Sequence, residues 1–348
     1  MLEQRLCVVA DTSIRDAISA LVDGGRKVIF VIDAKMRLLG LFTTGDMRRY
    51  LLLGKSLSKP VSDAMNPTPI TFLSVREVSD RSAAHPLIVY PIVDAEGKLV
   101  DALYPEDISF SESHELEKVP LVIMAGGKGT RLYPYTRVLP KAIIPIGNYS
   151  ITERIIQSFY KYGCRHVYMV LNHRAAIIRA YMGEVDTGCE VEFVEESEFA
   201  GTAGGLALLK GKINSTFILS NCDILINDDL ACAYLTHKEQ KNQITFVCSM
   251  LDHTIPYGVV ETSAEGRIQS ITEKPHMSFL ANTGVYVLEP CVFEEIRPGE
   301  HIDMTDLTLR CIQRGMRAGV FPISEKAWLD MGQIKDMEQM IQQLEPEE

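Results

Sequence analysis

The apolar run Leu121–Met124 is short enough for a buried strand, and it passes directly into Gly126, Gly127 and Gly129. Beyond it, Ser150 and Glu153 form a capping box ahead of the apolar positions Ile155, Ile156 and Phe159, and Gly163 supplies a stop, so this segment predicts a helix. The apolar run His166–Leu171, a helical piece near Ala175–Met182, a strand at Glu190–Val194 and a further apolar strand at Phe217–Leu219 follow. Two helical stretches, Thr305–Gln313 and Ile334–Leu344, surround a strand at Arg317–Pro322 and Trp328. This alternation predicts an α/β fold, a Rossmann-like doubly wound mixed sheet, and ligands on such sheets bind beyond the carboxyl ends of the strands.

The first third of the chain has a different pattern, because it repeats. Phe30–Met47 and Pro91–Ile108 align without a gap, with Asp33 matching Asp94 and Asp46 matching Asp107. Each copy reads as two short strands joined by a turn, at Asp33–Met36 or Asp94–Gly97, with a helix starting at the last Asp. A helix-like segment precedes each, Ile14–Leu21 and Val75–Ala84. The polar stretch Ser109–Lys118 has no apolar period, which predicts a module over 1–112, a linker over 113–119 and a second domain over 120–348.

The first copy carries Gly40, Thr43 and Asp46 in a GxxTxxD pattern, with Arg48 and Arg49 behind it, and the whole segment resembles a tandem pair of CBS domains. The resemblance implies that Asp46 holds ribose hydroxyls and that Thr43 lies near phosphate, with an adenine nucleotide as the expected ligand; a carboxylate can accept from both hydroxyls of a ribose. The second copy departs from the pattern, with Asp101 and Tyr104 in place of the Gly and the Thr. A pair without a ligand that serves as a dimerisation plate is the alternative, and a homodimer or higher homo-oligomer is expected in either case.

The glycine-rich loop after Met124 lets backbone N–H groups approach a ligand closely, while Thr130, Arg131 and Lys141 add a hydroxyl and two cations, which is equipment for a polyphosphate. It is not a P-loop, since Lys128 is followed by Gly129, nor a dinucleotide fingerprint, since Leu132 stands where a third Gly or Ala is needed. The run GGKGTRL, followed by Pro140–Lys141 and Pro145–Gly147, resembles the sugar-1-phosphate nucleotidyltransferases, which join a nucleoside triphosphate to a sugar phosphate and release pyrophosphate. The resemblance implies a nucleotidyltransferase, GT-A-like, fold with Ala125, Gly126, Gly127, Gly129 and Thr130 at the nucleotide and Arg131 and Lys141 as catalytic cations.

Further motifs follow in the family's order. Gly201–Gly205 reads GTAGG at a predicted helix start running through Leu209, where backbone donors, and Gly201 and Thr202 in particular, suit a base or phosphate. Glu196 stands five residues earlier, and a carboxylate accepts together the two adjacent donors of guanine, N1–H and N2–H, which tilts the expected nucleotide toward GTP. The alternative is that Glu196 is one solvated charge in a run of acids. Asp223 ends a strand, and Asp330 lies in WLDMGQ, which resembles the family's WxDxG pattern; together they suit Mg²⁺ facing a departing pyrophosphate, or each could cap a turn. By resemblance, Gly258, Glu273 and Asn282 bind the sugar and Lys274 neutralises its phosphate. A CBS pair ahead of this domain resembles the guanylyltransferases of legionaminic acid pathways, which implies a hexose 1-phosphate acceptor, glucosamine 1-phosphate, with mannose 1-phosphate next and a thymidylyl or uridylyl transfer to glucose 1-phosphate behind it. A nucleotide-sensing regulator with an inactive transferase domain is the non-enzymatic alternative.

Composition then limits partners. The net charge of −11 gives no long-range attraction to polymeric nucleic acid or anionic lipid, so phosphate-binding cations must act locally. The 8 cysteines show no CxxC pair and sit mostly among apolar neighbours, as reduced packing residues do. The first residues carry too short an apolar core for a signal peptide and no stretch predicts a membrane span, so the cytoplasm is expected.

Overall fold

The computed structural model describes residues 4–74, 76–78, 87–104 and 114–344. The chain divides into two compact units, Met1–Ser111 and Glu112–Glu348.

In the first unit, β1 (Cys7–Val9) pairs in parallel with β2 (Val28–Ile32), which pairs antiparallel with β3 (Leu38–Thr43). Helix Ile14–Asp23 crosses between β1 and β2, capped by the Ser13 hydroxyl and burying Ile14, Ala17, Ile18 and Leu21. β4 (Tyr90–Val93) and β5 (Leu99–Leu103) form a second antiparallel hairpin. The internal repeat is visible at atomic detail in the two hairpin turns. Asp33 Oδ1 accepts from the N–H groups of Lys35 at 2.8 Å and Arg37 at 2.9 Å, and Asp94 Oδ1 accepts from those of Glu96 at 3.0 Å and Lys98 at 2.8 Å. The turns also bond each other reciprocally, Leu38 N–H to Gly97 O at 3.0 Å and Leu99 N–H to Met36 O at 2.9 Å. One expectation shifts: the helix after β3 spans Thr44–Leu52 with Thr43 as its N-cap, so Asp46 is its third residue rather than its start. A short polar residue ahead of the first turn is a better cap than the acid three places on, which instead returns the second bond of a capping box. Apart from helical residues 76–78, the segment Val75–Ala84 and the helix start at Asp107 lie outside the described residues.

The second unit is built on a seven-stranded sheet. Its strands are β6 (Leu121–Ala125), β9 (His166–Leu171), β10 (Glu190–Glu195), β11 (Phe217–Asn221), β13 (Ile244–Thr254), β16 (His276–Leu288) and β17 (Ala318–Ser324), in the spatial order β10-β9-β6-β11-β16-β13-β17. Only β16 runs antiparallel to its neighbours. Both faces are covered. Leu121, Ile123 and Ala125 of β6 pack with helices Ile151–Tyr160, Ala175–Glu184 and Ile334–Leu344, while Val122 and Met124 pack on the opposite side with Leu206, Phe293 and helix Met304–Gln313. A run that is apolar on every residue is what a parallel strand buried on two faces needs.

Three small ladders decorate the sheet: β7 (Pro145–Ile146) with β8 (Tyr149–Ser150), β12 (Ile224–Ile226) with β18 (Trp328–Asp330), and β14 (Val259–Thr262) with β15 (Ile268–Thr272). The last of these prolongs the β13–β16 pair: Ile255 N–H bonds Pro275 O at 3.0 Å, giving one long two-stranded ribbon. All eight cysteines are free, and among the described residues no helix is long and apolar enough to cross a membrane.

Candidate active site

β6 lies between β9 and β11, and the chain leaves β6 toward β9 but leaves β11 toward β13 on the other side, so the loop after β6 and the turn after β11 flank one crevice. The resulting open cleft, about 250 Å³, is lined by Gly126, Gly127, Gly129, Thr130, Arg131 and Lys141 on one lip, by Asn221, Cys222 and Asp223 on the other, and by Phe199, Gly201, Thr202 and Gly332. Gly129 takes a left-handed φ of 62°, and a Cβ there would stand 3.0 Å from Thr136 Cγ2 and 3.1 Å from Lys141 Cβ, so only glycine turns the chain into the Thr130–Leu132 helical turn. The Thr136 hydroxyl fixes the turn by donating to Gly129 O at 2.8 Å. Ala125 is the buried last residue of β6.

The two predicted acids, far apart in sequence, meet here. β12 and β18 pair Ile224 with Asp330, and Met331 N–H donates to Asp223 O at 2.9 Å, so the ladder sets Asp223 beside Asp330. Lys141 Nζ forms an ion pair with Asp223 Oδ2, with side chains only 11% and 13% exposed. Asp330 Oδ1 is buried without a hydrogen-bond partner among the described residues, and burial together with the negative charge of Asp223 pushes its carboxyl up to about 6. Two adjacent carboxylates, one with an unmet acceptor, fit a hard divalent cation that completes its shell with phosphate oxygens and water. An uncompensated buried carboxylate also costs stability. Asp330→Asn is therefore expected to raise the melting temperature of the metal-free protein at pH 8, by about 1–2 kcal/mol of stability, while abolishing turnover. A melting temperature equal to or below that of the parent would refute this.

Glu196 follows β10, and the structure removes its solvated alternative: the residue is 5% exposed. Its Oε1 accepts from Ala200 N–H at 3.3 Å, and its Oε2 is buried without a partner among the described residues. Burial pushes the carboxyl up, and the hydrogen bond from Ala200 N–H and then His301 pull it part of the way back. A Cβ on Gly126 would stand 2.8 Å from Glu196 Oε2, so the carboxylate lies directly beneath the glycine loop.

The GTAGG expectation needs correction. A one-turn helix, Gly201–Gly204, runs into a 3-10 turn, Gly205–Leu209, but its first donors are already engaged. Thr202 N–H bonds Asp303 Oδ1 at 2.8 Å, and those of Ala203 and Gly204 bond Ile302 O at 3.0 and 3.2 Å. Gly201, with φ 85°, is required because a Cβ there would stand 2.6 Å from the Ile302 carbonyl. Residues 300–304, a hundred positions away, are what this helix start binds, and no local motif reveals that.

Gly258, Glu273 and Lys274 sit on the exposed ribbon rather than in the lining of the cleft; Glu273 Oε2 would stand 2.9 Å from a Cβ on Gly258, and Lys274 takes a φ of 42° where the ribbon bends. Asn282 is nearer. A register shift between Val247 and Cys248 leaves a bulge at which Asn282 Oδ1 accepts from Gly284 N–H at 3.0 Å, and a Cβ on Gly284 would stand 2.5 Å from Asn221 Nδ2 on the cleft wall. In the first unit, Thr43 and Asp46 line a separate cavity of about 650 Å³. Asp46 is occupied internally: Oδ2 accepts from Thr43 N–H at 3.0 Å and from its hydroxyl at 2.7 Å, and Oδ1 accepts from Arg49 at 2.9 Å. Sequence reasoning missed Asn221, Phe199, His301 and Asp303; the aromatic Phe199 two places ahead of Gly201 was the available signal.

A doubly wound sheet whose glycine loop faces a cation and two acids at its switch point defines an α/β protein equipped for nucleotide phosphates. The chain belongs to the nucleotidyl transferase family, matched over residues 121–347, and residues 1–53 match the CBS domain. The bifunctional protein GlmU of Methanococcus aeolicus is 30% identical over 223 residues, 62% of this chain and 52% of that protein. The mannose-1-phosphate guanylyltransferase of Mycobacterium tuberculosis is 27% identical over 224 residues, 63% of this chain and 62% of the other. The chain thus spans 52% to 62% of the length of these curated relatives. The solved structure of HddC from Yersinia pseudotuberculosis shares the fold, with a TM-score of 0.51 at 22% identity over 65% of this chain and all of that one.

Proposed function

We propose that the chain transfers a nucleoside monophosphate from a nucleoside triphosphate, GTP, to a hexose 1-phosphate, glucosamine 1-phosphate, releasing pyrophosphate. The observation that carries the reaction class is the meeting of Lys141, from the lip of the Gly126–Arg131 loop, with Asp223 and Asp330 across the cleft. In this reading the loop amides cradle the triphosphate, Arg131 and Lys141 offset its charge, and the sugar phosphate oxygen attacks the α-phosphorus in line with no covalent enzyme intermediate. Mg²⁺ held by Asp223 and Asp330 would offset the charge that grows on the departing pyrophosphate. Glu196 supports guanine, because a buried carboxylate with one unpartnered oxygen suits two adjacent donors. Asn282 and the ribbon residues Gly258, Glu273 and Lys274 are assigned to the sugar phosphate, and the cavity of the first unit to a regulatory adenine nucleotide.

The test is pyrophosphate release with Mg²⁺ across GTP, UTP, dTTP, ATP and CTP, each with glucosamine 1-phosphate, mannose 1-phosphate and glucose 1-phosphate. GTP with glucosamine 1-phosphate is expected to give the highest kcat/KM. The second reading, mannose 1-phosphate with GTP, is favoured by the name of the mycobacterial relative. Fastest release with UTP or dTTP would overturn the guanine assignment, and no release with any pair would favour a nucleotide-sensing regulator.

A further inference from the structure

Phe199 is a large apolar side chain left 46% exposed on the wall of the cleft. A single exposed phenylalanine needs no explanation by itself; its setting is what is informative. The ring is held edge to face by His301, with centroids 6.0 Å apart and planes at 75°. It also borders the same point as Glu196: a Cβ on Gly126 would stand 2.8 Å from Glu196 Oε2 and 3.5 Å from Phe199 Cδ2. The absence of a side chain on Gly126 lets the Glu196 carboxylate pack tightly against it and brings the Phe199 ring beside the same residue, so an aromatic ring and a buried carboxylate oxygen with no partner among the described residues border one glycine of the cleft. A planar, nitrogen-rich ring needs those two things, a π surface to lie on and an acceptor for the donors on its edge.

We propose that Phe199 is the surface on which the nucleobase stacks, and that His301 is the positioning residue that holds its ring toward the cleft. This inference rests on the nucleotide reading of the cleft and deepens it: selection would combine a stacking term, larger for a purine, with the edge contact to Glu196.

The test is equilibrium binding of GTP and of inorganic tripolyphosphate, with Mg²⁺, to the full chain and to Phe199→Ala and Phe199→Trp. Stacking on an aromatic side chain contributes enough per base that Phe199→Ala should weaken GTP roughly 5- to 150-fold. Tripolyphosphate, which has no base, should bind within about twofold of the parent, and Phe199→Trp should restore GTP binding. His301→Ala should raise KM for GTP with little change in kcat, and His301→Phe should reverse that. Unchanged GTP binding by Phe199→Ala, or a parallel loss of tripolyphosphate, would overturn the proposal while leaving the nucleotide reading intact. Failure of the parent protein to bind any nucleoside triphosphate would overturn both.

Discussion

Asp223→Asn lowers kcat by about three orders of magnitude and leaves the fold in place. The amide has nearly the shape of the carboxylate, and the neighbouring ladder does not depend on the charge, because the bond from Met331 N–H is to the Asp223 carbonyl. What disappears is a negative charge that acts twice. It pairs with Lys141, so that in Asp223→Asn the ammonium loses the partner that fixes it at the cleft. It also stands beside Asp330, whose carboxyl it helps to push up to about 6. Asparagine removes one of two carboxylates available to a cation, and the charge developing on pyrophosphate then meets a weaker counter-field. Triphosphate affinity, which the proposed function assigns largely to the glycine loop and Arg131, should fall far less than turnover. The measurement is kcat and KM for GTP with the metal concentration varied, alongside Lys141→Ala and the double variant. Because the two side chains are paired, their effects should be strongly non-additive. A kcat for Asp223→Asn within tenfold of the parent would remove Asp223 from the chemistry.

The two parts of that pair show what a sequence can and cannot disclose. Strand His166–Leu171 and helix Ile334–Leu344 stand where their apolar periods place them, because burial on two faces or on one helical stripe writes itself directly into residue order. The glycine loop was legible for the same reason, since backbone that must approach a ligand demands residues without side chains. The adjacency of Asp223 and Asp330 is a property of the β12–β18 ladder, two three-residue strands too short to show alternation. The long β13–β16 ribbon was obscured because its outer half carries Asp252, His253 and Thr254 on one strand and is exposed on both faces, so neither a buried run nor a clean alternation marks it. The donors of the GTAGG turn were read as free for ligand because Ile302 and Asp303, which occupy them, reach the turn only through tertiary packing.

Glu196→Gln shifts the kcat/KM ratio of GTP to UTP by about a hundredfold to a thousandfold toward UTP. Hydrogen bonds to a charged group are each worth about 1.5–3 kcal/mol, so loss of the carboxylate should cost GTP one to two orders of magnitude. An amide presents a donor and an acceptor, the pattern that an acceptor-donor-acceptor uracil edge can use, and should improve UTP about tenfold. Site geometry favours a large effect over a small one. The residue is buried, its Oε2 has no partner among the described residues, and that oxygen packs directly against Gly126 of the cleft lining. The same burial pushes the carboxyl above its usual range, so its charge is lost at a higher pH than an exposed glutamate would lose it. Guanine needs the ionised form. Preference for GTP should therefore decline on acidification in the parent protein as Glu196 takes up its proton, and Glu196→Gln, with nothing to titrate at that position, should show a flatter profile. Competition between GTP and UTP measured from pH 8 downward separates this from a general acid loss of activity, which would lower both rates together. A ratio unmoved by both the substitution and the pH would place guanine selection elsewhere in the cleft.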